Sequence, residues 1–322
     1  MGRNLKVLTE IRTDLALEAA NDYFDKHQPL EGVSVDEHYD TKNDILTTIV
    51  KITSDEGAAC LHKAKGTYMT LETPHLNELD ENYHQEITEA LMELLRQLVP
   101  EIQKKKILVA GIGNREITPD ALGPLVAEHL FITRHLIKSY GEDTELTKGL
   151  GNISAIAPGV MAQTGMEGRE IIEGIIKSTK PELLIVIDAL AARSTKRLNR
   201  TIQVTDAGLH PGAGVGNYRN ELTKETLGIP VIAIGIPTVI DAATIVSDTM
   251  TGLFNVLQNQ KKLGTIYEAI KDFDEEEKYY LVREMMEPMM TDMFVTPKDI
   301  DETIGRISYT VSEAINSICH RL

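Results

Sequence analysis

Cysteine is nearly missing from this chain: the two present, Cys60 and Cys319, lie far apart with no CxxC pair. This excludes a disulfide framework and a cysteine zinc site, and it fits a reducing compartment in which both are inert thiols. Positive charge is scarce too. Lys and Arg number 33 against 49 Asp and Glu, a formal net charge of −16, which excludes nucleic-acid binding by phosphate neutralisation except at a local basic patch. A basic or neutral polypeptide suits such a surface better. No apolar run reaches the roughly 20 residues that span a bilayer. The amino-terminal MGRNLKVLTEIRTD carries charges where a signal peptide needs an apolar centre. The expectation is a soluble, cytoplasmic protein with neither a membrane nor a nucleic acid as direct partner. GxSxG, HExxH and GxxxxGK[ST] are all absent, so serine hydrolase, ordinary zinc peptidase and P-loop readings lose their usual support.

What is present begins with ILVAGIGNREITPDALGP, residues 107–124. Ile107 to Ala110 form an apolar run without alternation, the pattern of a parallel strand buried on both faces. Gly111 and Gly113 permit a sharp turn, and Thr118, Pro119 and Asp120 open a helix, expected from Asp120 to His135. The full GxGxxG spacing fails, because Glu116 stands where the third glycine belongs. A second run, LLIVI from Leu183 to Ile187, ends directly on Asp188. Two buried strands thus deliver two aspartates to the carboxyl edge of a sheet, where open α/β folds place their ligands.

Around these runs the pattern predicts a helix over Leu15–Lys26 and strands over Val33–Val35, Ile45–Ile52 and Thr67–Leu71. EGAACLHK reads as a helix between the last two strands. Glu81–Leu98 is amphipathic and stops before Pro100. Further strands are expected at Ile153–Ala157, Thr201–Thr205 and Val231–Ile234, the last bracketed by Pro230 and Pro237. Helices are expected over Glu167–Lys177 and from Asp241 onward. The alternation predicts an α/β, three-layer fold with a mostly parallel central sheet, plus flanking mixed strands and C-terminal helices. The methionine cluster MMEPMMTDMF reads as core filling or helix packing.

Asp120 and Asp188 have an ordinary reading as helix cap and strand end. Brought together, two carboxylates push one pKa up, so that an acid and a base coexist, and such a pair can activate water and polarise a scissile carbonyl. Asn114 and Thr118 either hydrogen-bond the carboxylates or close the turn, and Arg193 and Ser194 either orient the site or form ordinary pairs. The loop from Gly208 to Asn217, with His210, Gly212 and Gly214, is either a surface loop or a source of backbone donors for an oxyanion or a substrate strand. His210 is also the nearest candidate for a third metal ligand.

The segments RTDLALEA, TPDALGP, LFITRH, APGVMAQTG, IDALAARS, LHPGAGVGN and LGIPVIAIGIPTVIDA occur in this order, and MFVTPKDID follows. On them the chain resembles the germination protease of spore-forming bacteria, an atypical aspartic endopeptidase that degrades small acid-soluble spore proteins. The resemblance implies catalysis by Asp120 and Asp188 without cofactor or metal, a homotetramer in the spore core, and synthesis as a zymogen. Its substrates are cut after an acidic residue followed by an apolar residue and alanine, a pattern that Asp14, Leu15 and Ala16 reproduce. Self-cleavage between Asp14 and Leu15 is therefore expected, within an amino-terminal segment that reads as undocked. Residues 1–14 would be the propeptide and 15–322 a single peptidase domain, with flanking elements at 15–100, the α/β core at 101–258 and a helical part at 259–322. GIGN with a later strand-end Asp also resembles hydrogenase-maturation endopeptidases, in which the equivalent acidic residues bind metal. A metal-dependent maturation-type peptidase and a non-enzymatic binding protein stay open as alternatives.

Overall fold

The computed structural model describes residues 13–24, 29–78, 81–142, 144–209, 221–246, 248–250 and 293–320. The amino-terminal part comprises α1 (Ala16–Phe24), β1 (Val33–Asp40), β2 (Ile45–Ile52), α2 (Asp55–Leu61), β3 (Gly66–Glu72) and α3 (Glu81–Leu98). The central part runs through β4 (Lys106–Gly111), α4 (Leu122–His129), α5 (Arg134–Tyr140), β5 (Asn152–Ile156) and α6 (Met161–Thr164). It continues with α7 (Gly168–Thr179), β6 (Leu183–Ala192), β7 (Thr201–Thr205), α8 (Lys224–Leu227) and β8 (Val231–Asp241). After these come β9 (Phe294–Val295) and α9 (Ile300–Cys319).

The strands among the described residues belong to one 9-stranded sheet of order β1-β2-β3-β7-β8-β6-β4-β5, with β9 on β8. The buried apolar runs supply its parallel centre: β5, β4, β6 and β8 run side by side in one direction. β7 is antiparallel to both β8 and β3, and β3, β2 and β1 continue as an antiparallel meander. Because side chains alternate along a strand, Ile107, Val109, Leu183, Ile185 and Ile187 go to one core under α3, α4 and α9. Leu108, Ala110, Leu184 and Val186 go to the other, under Ile172 and Ile176 of α7. Each fully buried aliphatic side chain contributes about 1.5–3 kcal/mol. This is the three-layer α/β fold that the sequence predicts. A smaller cluster joins Ala16 and Ala20 of α1 to Val50, Ile52 and Tyr68 of the meander.

Four local expectations need correction. The helix expected from Asp120 to His135 is broken into α4 and α5, because Thr133 is tied elsewhere: its N–H donates to Ile153 O at 3.1 Å and its hydroxyl donates to Gly151 O. The strand expected to end on Asp188 continues to Ala192, paired throughout with β8. β8, expected over Val231–Ile234, runs through Pro237 to Asp241, and Asp241 opens a helix as expected, its Oδ1 accepting Ala243 N–H at 2.9 Å. The register shifts beside Pro237, where Leu190 faces Pro237 and Ala191 faces Val239; the extra residue, Thr238, forms a bulge next to the proline that lacks an N–H. Fourth, Thr13 and Asp14 are docked rather than free. Most of the leader, the loop residues His210 to Asn217 and almost all of the methionine cluster lie outside the described residues.

Candidate active site

The turn after β4 sets the position of Asp120. Ile112 N–H donates to Ile187 O at 2.8 Å, which holds the exit of β4 against β6. Gly113 has φ +122°, and a Cβ there would lie 2.0 Å from the carbonyl oxygen of Asp120, so only glycine lets the chain fold back this tightly. The fold-back brings Asn114 N–H to Asp120 Oδ2 at 2.8 Å. The Asn114 side chain accepts from Glu116 N–H at 3.0 Å and from Gln163 at 3.1 Å, so it closes the turn. Asp120 itself ends a 3-10 turn, Thr118–Asp120, that precedes α4. Thr238, the bulged residue of β8, donates its hydroxyl to Pro119 O at 2.7 Å and so anchors that turn to the sheet.

Asp188 projects from the middle of β6 and is 8% exposed. Ala189 N–H donates to its Oδ1 at 2.9 Å. Asp120 and Asp188 line one cavity of about 650 Å³ at the carboxyl ends of the parallel strands. Burial first, then the charges of Asp120 and Asp14, push the Asp188 carboxyl well above the ordinary range, against the Ala189 N–H. Burial also raises Asp120, opposed by the Asn114 N–H. The arrangement sets a strongly raised carboxyl, Asp188, beside a less strongly raised one, Asp120, facing the same space.

A third carboxylate enters the cavity from the amino terminus. Asp14 N–H donates to Ala191 O at 3.2 Å, and Asp14 Oδ2 accepts from Ala191 N–H at 2.8 Å. Lys63 Nζ donates to Thr13 O at 2.9 Å, and Ala16 N–H donates to Gln203 Oε1 at 2.8 Å. The segment across Asp14 and Leu15 is thereby laid along the end of β6, three residues beyond Asp188. Leu15 is 0% exposed. The sequence offered the Asp14–Leu15 pair as a scissile bond, but no periodicity in it announced this docking, nor the parts taken by Ala191, Gln203 and Lys63.

The remaining candidates have other partners. Arg193 forms an ion pair with Asp22 of α1. The N–H groups of Arg193 and Ser194 donate to Glu18 at 2.8 and 2.9 Å. The Ser194 hydroxyl accepts from Lys196 N–H at 3.4 Å. These two residues anchor the exit of β6 to α1 rather than line the cavity, and Thr118 serves through its carbonyl, which accepts from Ala121 N–H at 3.1 Å. His210, Gly212 and Gly214 lie outside the described residues, although Gly208 and Leu209, which lead into that loop, line the cavity. Burial pushes the Cys319 thiol up to about 12, which makes it a poor nucleophile. Among the described residues, no three His, Cys, Asp or Glu side chains converge as a metal site requires.

The raised Asp188 has a thermodynamic consequence with a definite sign. Below the unfolded carboxyl pKa, about 3.9, both states carry the proton and burial costs nothing. As pH rises above it, the unfolded chain ionises while the folded one keeps its proton, so stability is lost until the folded pKa is passed. Asp188→Asn should therefore match the parent in stability near pH 3 and exceed it at pH 7. Thermal melts at both pH values check this; an Asn variant less stable at pH 7 would remove the burial penalty from the account.

Comparison with known proteins places these features in a family. A family model described as germination protease matches residues 10–262. The germination protease of Clostridium tetani is 41% identical over 308 residues, covering 95% of this chain and 94% of the relative. That of Caldanaerobacter subterraneus subsp. tengcongensis is 40% identical over 311 residues, covering 96% and 94%. The germination protease of Bacillus mycoides is 38% identical over 349 residues, again covering 96% and 94%. Among solved structures, the [NiFe] hydrogenase maturation protease HycI of Thermococcus kodakarensis aligns over 70% of this chain and 98% of its own, with 18% identity and a TM-score of 0.36; at that score the likeness decides nothing. No described helix is long and apolar enough to cross a membrane. With one family model covering most of the chain and near-full-length relatives at about this identity, the chain belongs to the germination proteases, a family of endopeptidases.

Proposed function

We propose that Asp120 and Asp188 are the catalytic pair of this endopeptidase, that its substrates are small acid-soluble spore proteins in the spore core, and that it first removes its own leader between Asp14 and Leu15. The observation that carries the reading is the meeting of Asp120, Asp188 and Asp14 in one cavity. Asp188 is the more buried and keeps its proton, so it donates to the oxygen of the scissile carbonyl. Asp120 is steadied as a carboxylate by the Asn114 N–H and takes the proton of the attacking water. While Asp14 lies in the cavity it occupies space that a substrate needs, so activity follows removal of the leader. The reading includes assembly as a homotetramer.

The test incubates the purified full chain with a small acid-soluble spore protein, with and without chelator, and sequences the amino terminus of the activated enzyme. Cleavage that survives chelation, by a chain beginning at Leu15, is the expected result. Activity lost to chelator and restored by a divalent cation would transfer the chemistry to a metal. A mature chain beginning elsewhere would sink the leader assignment, and substrate left intact by every activated preparation would leave only a binding role.

A further inference from the structure

Glu18 is a buried carboxylate that the two-aspartate mechanism does not use. It is 3% exposed and sits in the first turn of α1. Its two oxygens accept the N–H groups of Arg193 and Ser194 at 2.8 and 2.9 Å, Arg197 Nη1 at 3.3 Å, and the hydroxyl of Thr13. The Thr13 hydroxyl also accepts Leu15 N–H at 3.1 Å. Leu15 N–H thus reaches Glu18 through one intervening oxygen, and that oxygen belongs to the leader.

Hydrolysis of the Asp14–Leu15 bond changes this spot specifically. Water adds across the amide: the hydroxyl goes to the Asp14 carbonyl carbon, which becomes a carboxylate and departs with the leader. The Leu15 nitrogen takes a proton and becomes an amine, which is ammonium below its pKa of about 7.7–8.0. Leu15 and Ala16 are both 0% exposed and Ala16 N–H is held by Gln203, so α1 stays in place and the new charge is created inside the protein. A buried ammonium needs a counter-charge. The Thr13 hydroxyl leaves at the same moment and vacates its position on Glu18. Arg197 is already shared between Glu18 and Glu72, which leaves that trio one positive charge short of neutrality.

We infer that Glu18 is a positioning residue that captures the α-ammonium of Leu15 after the leader is cut, and that this ion pair fixes the exit of β6, and with it Asp188, in the working geometry. The cut then does two things: it clears the cavity, and it replaces a neutral hydroxyl contact on Glu18 with a charged one, which is the stronger kind. The inference rests on the leader reading above, and its test is built to fail separately.

In the full chain, residues 11–14 are replaced by the recognition sequence of an added protease that cuts after its final residue, either directly before Leu15 or with one glycine inserted. The two activated forms then differ only in whether the amine lies on Leu15 or one residue away, and both are also made with Glu18→Gln. The expected result is a kcat about tenfold or more lower for the glycine-extended form, the scale of a hydrogen bond to a charged group, with KM little changed. In Glu18→Gln the two forms should be equal. Equal kcat in the Glu18 background, with the amino termini verified by sequencing, would overturn the inference. Should Glu18→Gln fail to fold, reductive methylation decides: a captured Leu15 amine resists labelling relative to the glycine amine, and equal labelling overturns the inference. The leader reading stands or falls on a different result, the amino terminus that the unaltered chain makes for itself.

Discussion

Asp120→Asn and Asp188→Asn should each lower peptide cleavage by about a thousandfold or more, the scale of losing a positioned acid or base, while the protein stays folded. An amide is nearly isosteric with a carboxyl and still accepts the hydrogen bonds now made by Asn114 N–H and Ala189 N–H. What it cannot do is exchange a proton. The two single variants should lose about as much as the double variant, because groups that act as one unit are strongly non-additive. Turnover of purified variants, with circular dichroism as the folding control, checks this. Near-parent turnover by either variant would remove that residue from the chemistry.

Arg197→Met should cost about 3 kcal/mol of folding stability, the scale of stripping a buried charge pair of one partner. The guanidinium bridges two carboxylates, with Nη1 3.3 Å from Glu18 and Nε 2.8 Å from Glu72. The Glu18 side chain is 2% exposed and the other two are each 20% exposed, so water screens the cluster weakly. Methionine keeps much of the apolar stem but leaves two carboxylates facing each other. Adding Glu72→Gln should restore a large part of the loss, since the remaining Glu18 charge keeps its main-chain donors. Denaturant titration of the single and double variants decides; a loss below about 1 kcal/mol in the single variant would show that the cluster behaves as an exposed one.

Where local pattern decides structure, the sequence was legible. The apolar spacing in Glu81–Leu98 and the following Pro100 yield a helix with the same bounds, and Ile45–Ile52 is likewise a strand from end to end. Asp120 and Asp188 were visible as candidates because each follows a run too apolar to be anything but a buried strand. The misreadings all arise from partners distant in the chain. Thr133 breaks a helix because Gly151 and Ile153 claim it, and β6 outruns its apolar core because β8 lies beside it as far as Ala192. Glu18 carried no signal, since a glutamate in the first turn of a helix is ordinary; only its main-chain partners beyond β6 make it unusual.

The docking of Asp14 against Ala191 also bears on when the protein can act on itself. The contacts that hold this segment join residues far apart along the chain, 177 positions for Asp14 with Ala191 and 187 for Ala16 with Gln203. Synthesis runs from the amino end at about 5–20 residues per second, so Asp14 waits roughly nine to thirty-five seconds before the end of β6 is made. Closing so long a loop is entropically costly and comes late in folding. The bond proposed for cutting and the two aspartates therefore meet only in a molecule whose sheet is already assembled. On the proposed self-cleavage, order of assembly, rather than any added inhibitor, would keep a nascent chain from processing itself.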